Sequence, residues 1–361
     1  MKRLETVKVL VPENPNHSTA LFGGKASGIL NWNDIPYPHF YELREEIRGL
    51  FWRASEIDTS GDVKQFPTLP EKTQKAFLEI LGGMLSSLDA PQTDIAARIS
   101  QFATDPSVIS IMATIADQES EHNHSYSYIL SSMVSLKAQI ESFEVGRTNP
   151  VILKRNERLM EIYNRFSDNP TMRDLLETLV YCAIMEGLFF YSAFAFFYNL
   201  ARHNQMVATS TMISYINRDE LKHGRFISEL FRATLGENPE QNTTEFTSWV
   251  YEQFEHAVEQ ETLWCEHILD GVDGIDLYEM KGYIKYRANK MLRLLGLSEI
   301  FEGYNENSMK WIKAYADNFD DTKTDFFEQR NRQYVKVSKE NAFDELLGEE
   351  PGSDLNGFDD L

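Results

Sequence analysis

Apolar residues recur every three or four positions from about residue 70 to about residue 297, and the alternation typical of β-strands is nearly absent there. This spacing places apolar side chains along one face of an α-helix. Two stretches show it clearly: Met112, Ile115, Glu119, His122, Tyr126 and Ile129, and then Ile213, Ile216, Glu220, His223, Ile227 and Leu230. Short polar segments that contain proline, at 104–106, 167–170 and 236–239, separate such stretches. We therefore predict an all-α helical bundle.

The segment from Leu179 to Leu200 is long and apolar enough to be mistaken for a membrane span, and Glu186 is its only charged residue. No second span and no flanking asymmetry of Lys and Arg accompany it, so we predict a central helix buried in a protein core. A buried carboxylate is costly unless a cation compensates its charge. Glu186 therefore needs a metal ion or another positive partner.

The 361-residue chain has 35 basic and 56 acidic residues, a net charge of −21, and its 42% hydrophobic content is typical of a globular protein. This charge disfavours binding to nucleic acid, and no basic stretch with interleaved aromatic residues is present. The N-terminus lacks the apolar run of a signal peptide. Two cysteines, Cys182 and Cys265, are too few for a disulfide framework. These features predict a cytoplasmic protein that binds neither nucleic acid nor membrane.

Two Glu-x-x-His pairs lie on the apolar faces of predicted helices: Glu119 with His122, and Glu220 with His223. Residues three apart are one helical turn apart, so each pair can direct both side chains at one point. A rival pair, Glu121 with His124, has the same spacing, but it continues a largely polar row and would face solvent. Two buried Glu and His pairs need compensating positive charge, which a metal supplies.

One further acidic residue precedes each pair within a mostly apolar helix, Asp89 by 30 positions and Glu186 by 34. The six predicted metal ligands are Asp89, Glu119, His122, Glu186, Glu220 and His223. Oxygen-rich ligation with one imidazole per metal suits iron or manganese, whereas structural zinc prefers sulfur and more imidazole. The same combination occurs in ferritin-like proteins with two metals, so we predict a ferritin-like bundle with a dinuclear site in its core. Pro91 is expected to distort the helix just beyond Asp89.

These segments resemble the small, radical-generating subunit of class I ribonucleotide reductase, from about Trp32 to Tyr334. The matching motifs are Leu-Asp-Ala-Pro-Gln at 88–92, Glu-Ser-Glu-His-Asn-His-Ser-Tyr at 119–126, Met-Glu-Gly-Leu-Phe-Phe-Tyr at 185–191 and Arg-Asp-Glu-Leu-Lys-His at 218–223. The resemblance implies a homodimer with two iron ions, manganese ions or a mixed pair. It also implies a separate large catalytic subunit that makes deoxyribonucleotides for DNA replication and, where manganese is used, a flavoprotein activase.

Tyr126 matches the position at which this family stores a tyrosyl radical. It follows His122 by four residues, which places it on the same buried helix face and close to the metals. Phe190, Phe194 and Ile216 are expected to surround it with groups that neither donate hydrogen atoms readily nor admit water. A long-lived phenoxyl radical requires such isolation.

By the same resemblance, oxidising equivalents leave the core along a chain of residues: Tyr126, His122, Asp219, Trp52 and Tyr334. Trp52 lies in the motif Phe-Trp-Arg, and Asp219 directly precedes one of the predicted ligands. An Asp that accepts a hydrogen bond from a ligand imidazole also has an ordinary structural role. Tyr334 follows Asp-Phe-Phe-Glu at 325–328 and is the last tyrosine of the chain.

The last 22 residues, 340–361, contain eight acidic side chains and no basic one. They form either a solvated tail or a flexible peptide that folds onto a partner. We predict an extended segment at 1–30, a ferritin-like domain at 31–320 and a flexible tail at 321–361 that docks on the large subunit. Two other functions stay open: a ferritin-like di-iron oxidase acting on an apolar ligand, and an iron-storage protein.

Overall fold

The computed structural model describes residues 3–312 and residue 315, which fall within one compact unit, Met1–Asp317. Its α-helices are α1 (Pro38–Gly49), α2 (Ser60–Gln65), α3 (Glu71–Leu78), α4 (Ser86–Ser100), α5 (Pro106–Met133), α6 (Leu136–Thr148), α7 (Pro150–Ser167), α8 (Met172–Ile184), α9 (Tyr191–Arg202), α10 (Val207–Glu237), α11 (Thr244–Leu269) and α12 (Leu277–Leu294). Two π-helical turns are π1 (Glu79–Leu85) and π2 (Met185–Phe189), and short 3-10 turns are Ala54–Glu56, Phe66–Thr68 and Pro239–Gln241. Within this part of the chain, β-structure is limited to two isolated bridges. The predicted all-α fold is confirmed.

Polar residues before proline fix where the long helices begin. The Asp105 side chain accepts a hydrogen bond of 2.8 Å from the Ser107 amide, and Pro106 occupies the first position of α5. Asn149 caps α7 in the same manner, again directly before a proline. These caps satisfy amides that have no partner inside the helix, and proline has no amide to satisfy.

The core of the bundle is formed by helices that carry the predicted ligands. α4 packs along α5, while α10 contacts α5, α8 and π2. A second group of helices, α7, α11 and α12, covers the other side of α8 and π2. The apolar rows identified in α5 and α10 are fully buried along these contacts.

The apolar segment at the centre of the chain is a core element, as predicted. Met172–Arg202 is long and apolar enough to cross a membrane, but its most apolar 18-residue window is wholly buried within the bundle. The structure differs from the prediction of one regular helix, because π2 separates α8 from α9 at Glu186. A π turn contains one extra residue, and only neighbouring elements can compensate its altered backbone bonding.

The helix around Asp89 also differs from the expectation of a distortion at proline. α4 is continuous from Ser86 to Ser100 with Pro91 inside it. The irregular backbone instead precedes α4, in π1. Pro91 removes the amide that would bond the Ser87 carbonyl four residues earlier, and the helix continues through this one missing bond.

Candidate metal centre

The structure brings all six predicted ligands together in the core. α4 contributes Asp89, π2 contributes Glu186, and α5 and α10 each contribute a Glu-x-x-His pair. All six side chains are fully buried. They form two overlapping groups whose ligand atoms lie within 4.8 Å of one another: Asp89, Glu119, His122 and Glu220, and then Glu119, Glu186, Glu220 and His223.

Glu119 and Glu220 belong to both groups, which is the arrangement expected for two carboxylates shared between neighbouring ions. The Nδ1 atom of His122 lies 3.1 Å from Glu220 Oε1 and 3.7 Å from Glu119 Oε2. The Nδ1 atom of His223 lies 3.0 Å from Glu119 Oε1, 3.1 Å from Glu220 Oε2 and 3.5 Å from Glu186 Oε2. Each group therefore offers one imidazole nitrogen and several carboxylate oxygens to a single point.

Several buried polar atoms in this cluster lack a well-aligned hydrogen bond, which fits a site built for cations. These atoms are both carboxylate oxygens of Asp89, Glu119 Oε2, Glu186 Oε2, Glu220 Oε1 and His122 Nδ1. Unsatisfied buried polar atoms are rare and costly in folded proteins. A pair of metal ions with mixed oxygen and nitrogen preference, such as iron or manganese, would satisfy them.

The ionisation of the cluster is strongly perturbed by burial and by mutual charge. Burial raises the pKa of Asp89 and that of Glu186 well above the usual range, and neighbouring carboxylates act in the same direction. Burial opposes the charged forms of His122 and His223, but the surrounding carboxylates outweigh it and raise both pKa values. The metal-free cluster therefore retains protons that bound cations would displace.

The Nε2 atom of each candidate ligand histidine also has a hydrogen-bond partner. His122 Nε2 lies 3.3 Å from Asp219 Oδ2, and His223 Nε2 lies 2.8 Å from Gln118 Oε1. The Gln118 amide donates to the Ile47 carbonyl at 3.4 Å, which directs its oxygen at the imidazole. With acceptors at both Nε2 atoms, each ring would keep its remaining proton there when a bound metal displaces the other, and would present Nδ1 to that metal.

A second glutamine and a tyrosine support Glu186. Gln92 of α4 donates a hydrogen bond to Glu186 Oε1, and its own oxygen accepts one of 2.7 Å from the Tyr163 hydroxyl. Sequence reasoning did not identify Gln92 or Gln118. Gln92 stands in the matched motif at 88–92, and Gln118 directly precedes Glu119, so adjacency to a ligand was the only available signal.

The predicted radical position is isolated from solvent. The Tyr126 side chain is fully buried, and its hydroxyl lies beside the Asp89 carboxyl group. Burial raises its pKa well above 10, and the negative charges of Asp89 and Glu220 act in the same direction. Phe190 and Phe194 are likewise buried and stack with their ring centroids 5.8 Å apart. Ile216 is also fully buried.

Trp52 and Asp219 lie together beside the candidate ligands. The Trp52 indole Nε1 donates a hydrogen bond of 2.8 Å to Asp219 Oδ2, the same oxygen that faces His122. The Trp52 and His122 rings lie almost parallel, at an angle of 19° and with centroids 6.2 Å apart. Trp52 is itself buried, so the whole hydrogen-bonded chain is shielded from solvent. The remaining predicted relay residue, Tyr334, lies outside the described residues.

The rival pair occupies the outer face of α5. The His124 side chain is 64% exposed, and the Glu121 carboxylate accepts a hydrogen bond of 3.0 Å from the Ala54 amide. Helical periodicity therefore distinguished the two overlapping pairs correctly.

Comparison with known proteins agrees with this geometry. The family described as ribonucleotide reductase, small chain, matches residues 29–308. The chain belongs to this family. Ribonucleoside-diphosphate reductase subunit beta of Halalkalibacterium halodurans is 44% identical over 347 residues, covering 96% of this chain and 100% of that protein.

Solved structures of this family have the same fold. The ribonucleotide reductase R2 subunit from Clostridium botulinum is 29% identical with a TM-score of 0.84, covering 87% of this chain and 99% of that one. Dimanganese(II)-NrdF of Streptococcus sanguinis is 27% identical with a TM-score of 0.70, covering 79% and 99%. The predicted ferritin-like bundle with a dimetal site is thus confirmed.

As a ribonucleotide reductase small subunit, the protein works with a large subunit in the reduction of ribonucleoside diphosphates. This membership favours the reductase function over the oxidase and the storage protein that the sequence left open.

Proposed function

We propose that the six buried side chains hold two metal ions and that Tyr126 stores the oxidising equivalent produced there. When bound, the ions supply the oxidising power needed to remove an electron from a phenol. The protein contributes a dry cavity: Tyr126 lies one turn from His122 on α5, and its hydroxyl is buried beside Asp89. Because the buried phenol is shielded from solvent water, a radical formed there would be long-lived.

The proposed exit route uses Asp219 as its central residue. One oxygen, Asp219 Oδ2, faces both Trp52 Nε1 at 2.8 Å and His122 Nε2 at 3.3 Å. This shared acceptor is the main support for the proposal. It connects a redox-active indole to a candidate metal ligand through two hydrogen bonds. Asp219 can hold the proton of either partner as charge moves between them. Tyr334 would continue the route to the large subunit.

The nature of the metals and partners belongs to the same proposal. Mixed carboxylate and imidazole ligation accepts iron, manganese or one of each, and metal availability contributes to the choice. The similar Streptococcus sanguinis protein contains manganese, which supports a manganese form and, with it, a flavoprotein activase. We further propose a cytoplasmic homodimer, with residues 321–361 as the flexible segment that docks on the large subunit. Its abundance of acidic and scattered apolar residues is consistent with folding onto a partner.

Electron paramagnetic resonance tests this function directly. The full-length protein is reconstituted with ferrous ion and oxygen, and separately with manganous ion, oxygen and a reduced flavoprotein activase, and each sample is examined for a tyrosyl doublet. We expect a doublet that disappears in Tyr126→Phe and persists in Tyr128→Phe, a half-buried tyrosine on the same helix. A doublet of unchanged intensity in Tyr126→Phe would assign the radical to another residue and contradict the proposal.

A further inference from the structure

Two buried arginines converge on π2, the turn that carries Glu186. Arg155 of α7 donates from Nη2 to the Phe189 carbonyl at 2.6 Å, and Arg287 of α12 donates from Nε to the Gly187 carbonyl at 3.0 Å. Both side chains are only 1% exposed. Buried arginines are rare and destabilising unless partners satisfy them, so their presence at one five-residue turn indicates a specific role.

The geometry of a π turn explains why such donors are useful there. Its hydrogen bonds join residues five apart, so the regular spacing of carbonyls and amides is interrupted where it meets an α-helix. Buried carbonyls at such a junction need donors from elsewhere. A guanidinium group offers five N–H donors in a rigid fork, which allows it to bond a carbonyl and another partner together.

Each arginine is itself fixed by neighbours. Arg155 Nε donates to Glu261 Oε2 at 2.6 Å, and the other oxygen of Glu261 accepts from the Ser192 hydroxyl. The Arg287 guanidinium lies 3.3 Å from the ring centroid of Tyr191. The position of π2 is therefore connected to α7, α9, α11 and α12, and not determined by its own backbone alone.

Close packing restricts the same turn further. A Cβ atom added at Gly187 would lie 2.1 Å from Met291 Cγ, and Met291 is itself buried in α12. On the opposite side, a Cβ at Gly224, the residue after His223, would lie 3.5 Å from Glu186 Cβ. Small residues thus allow π2 to approach both α10 and α12, which places Glu186 beside His223.

We propose that Arg155 and Arg287 are positioning residues that hold π2, and so place Glu186 at the metal position that it shares with His223. This inference rests on the proposed metal centre. The other metal position uses Asp89 of α4 and His122 of α5, which belong to different helices. Weakening the arginine contacts should therefore impair one metal position far more than the other.

The test is a titration of the full-length, metal-free protein with manganous ion, with bound and free ion measured by electron paramagnetic resonance. Arg155→Lys and Arg287→Lys keep the positive charge but lose the planar guanidinium group and its several N–H donors. We expect about 10- to 100-fold weaker binding of one of the two ions, as for other residues that orient metal ligands. The second ion should keep its affinity, and the signal should change from that of a coupled pair to that of an isolated ion.

Arg173→Lys is the matched control. Its guanidinium lies 3.8 Å from the Phe246 ring centroid and donates to the Gln241 carbonyl at 2.7 Å, so it makes the same kinds of contact outside the metal centre. This variant should bind both ions normally. Wild-type affinities in both Arg155→Lys and Arg287→Lys, or equal weakening of both ions, would overturn the inference. Failure of the wild type to bind two ions would instead refute the metal centre itself.

A second pair of variants covers the case in which the lysine variants do not fold. Gly187→Ala should displace π2 from Met291 and weaken the same single ion. Adding Met291→Ala removes the atoms that the new Cβ would meet, so the double variant should recover the affinity. Normal binding in Gly187→Ala, or no recovery in a folded double variant, would count against the inference.

Discussion

The substitution Asp219→Asn tests the proposed exit route most sharply. The amide is nearly isosteric with the carboxylate and can place its oxygen where Asp219 Oδ2 now faces Trp52 and His122. It removes the negative charge that strengthens both hydrogen bonds. Bonds to charged groups contribute about 1.5–3 kcal/mol and neutral ones about 0.5–1.5 kcal/mol, so two bonds together lose about 2 kcal/mol.

A loss of about 2 kcal/mol corresponds to about 30-fold in an equilibrium or a rate. Only the bond to His122 bears on metal affinity, and it loses about 1 kcal/mol, so we expect the affinity at the His122 position to fall about 5-fold. At saturating metal the Tyr126 radical should still form, because Asp219 is not one of the six candidate ligands. Turnover with the large subunit should fall at least about 30-fold, because the bonded route to Trp52 is weakened.

Two assays on one sample separate these effects: the radical is counted by electron paramagnetic resonance, and deoxyribonucleotide formation is then measured with the large subunit. The control is Asp117→Asn, which changes an exposed carboxylate beside the same small cavity at Trp52. Normal turnover per radical in Asp219→Asn, or an equal loss in Asp117→Asn, would refute the reasoning.

Three further predictions follow from the burial and charge of the site. The pKa values of both candidate ligand histidines, of Asp89 and of Glu186 are raised in the folded metal-free protein, so these groups stabilise it fully below their unfolded pKa values and less as pH rises. The thermal unfolding midpoint of the metal-free protein should therefore decrease when pH is raised from about 6 to about 8, while manganese binding becomes tighter. An increase of that midpoint over the same range would contradict this. Deleting residues 335–361 should abolish turnover with the large subunit and leave metal content and radical yield unchanged; turnover that survives would show that this segment is not needed for docking. Ile216→Ala should leave a cavity that destabilises the fold by about 2–5 kcal/mol and shorten the radical lifetime measured after reconstitution, and an unchanged lifetime would show that this side chain does not protect Tyr126.

The sequence was sufficient to predict which Glu and His side chains are buried together, because helical periodicity ties residue spacing to direction. Glu119 and His122 share a face with apolar neighbours, whereas Glu121 and His124 share one with polar neighbours, and the structure separates them accordingly. A charge within a long apolar segment identified Glu186 for a similar reason. A lone ionisable group among apolar residues is too costly to persist without a partner.

The supporting contacts could not be predicted because they depend on tertiary proximity. Gln92 is 94 residues from Glu186 along the chain, and Gln118 is 105 residues from His223. The apolar segment around Glu186 gave no signal of a π turn, since an apolar run has the same composition whether its turns are α or π. The arginines that hold this turn lie in other helices, where a single Arg is unremarkable in sequence.

Anomalous diffraction from crystals of the manganese-loaded protein would locate the ions without reference to activity. We expect two peaks, one within reach of Asp89 and His122 and one within reach of Glu186 and His223, with Glu119 and Glu220 between them. A single peak, or peaks outside this group of six side chains, would contradict this expectation.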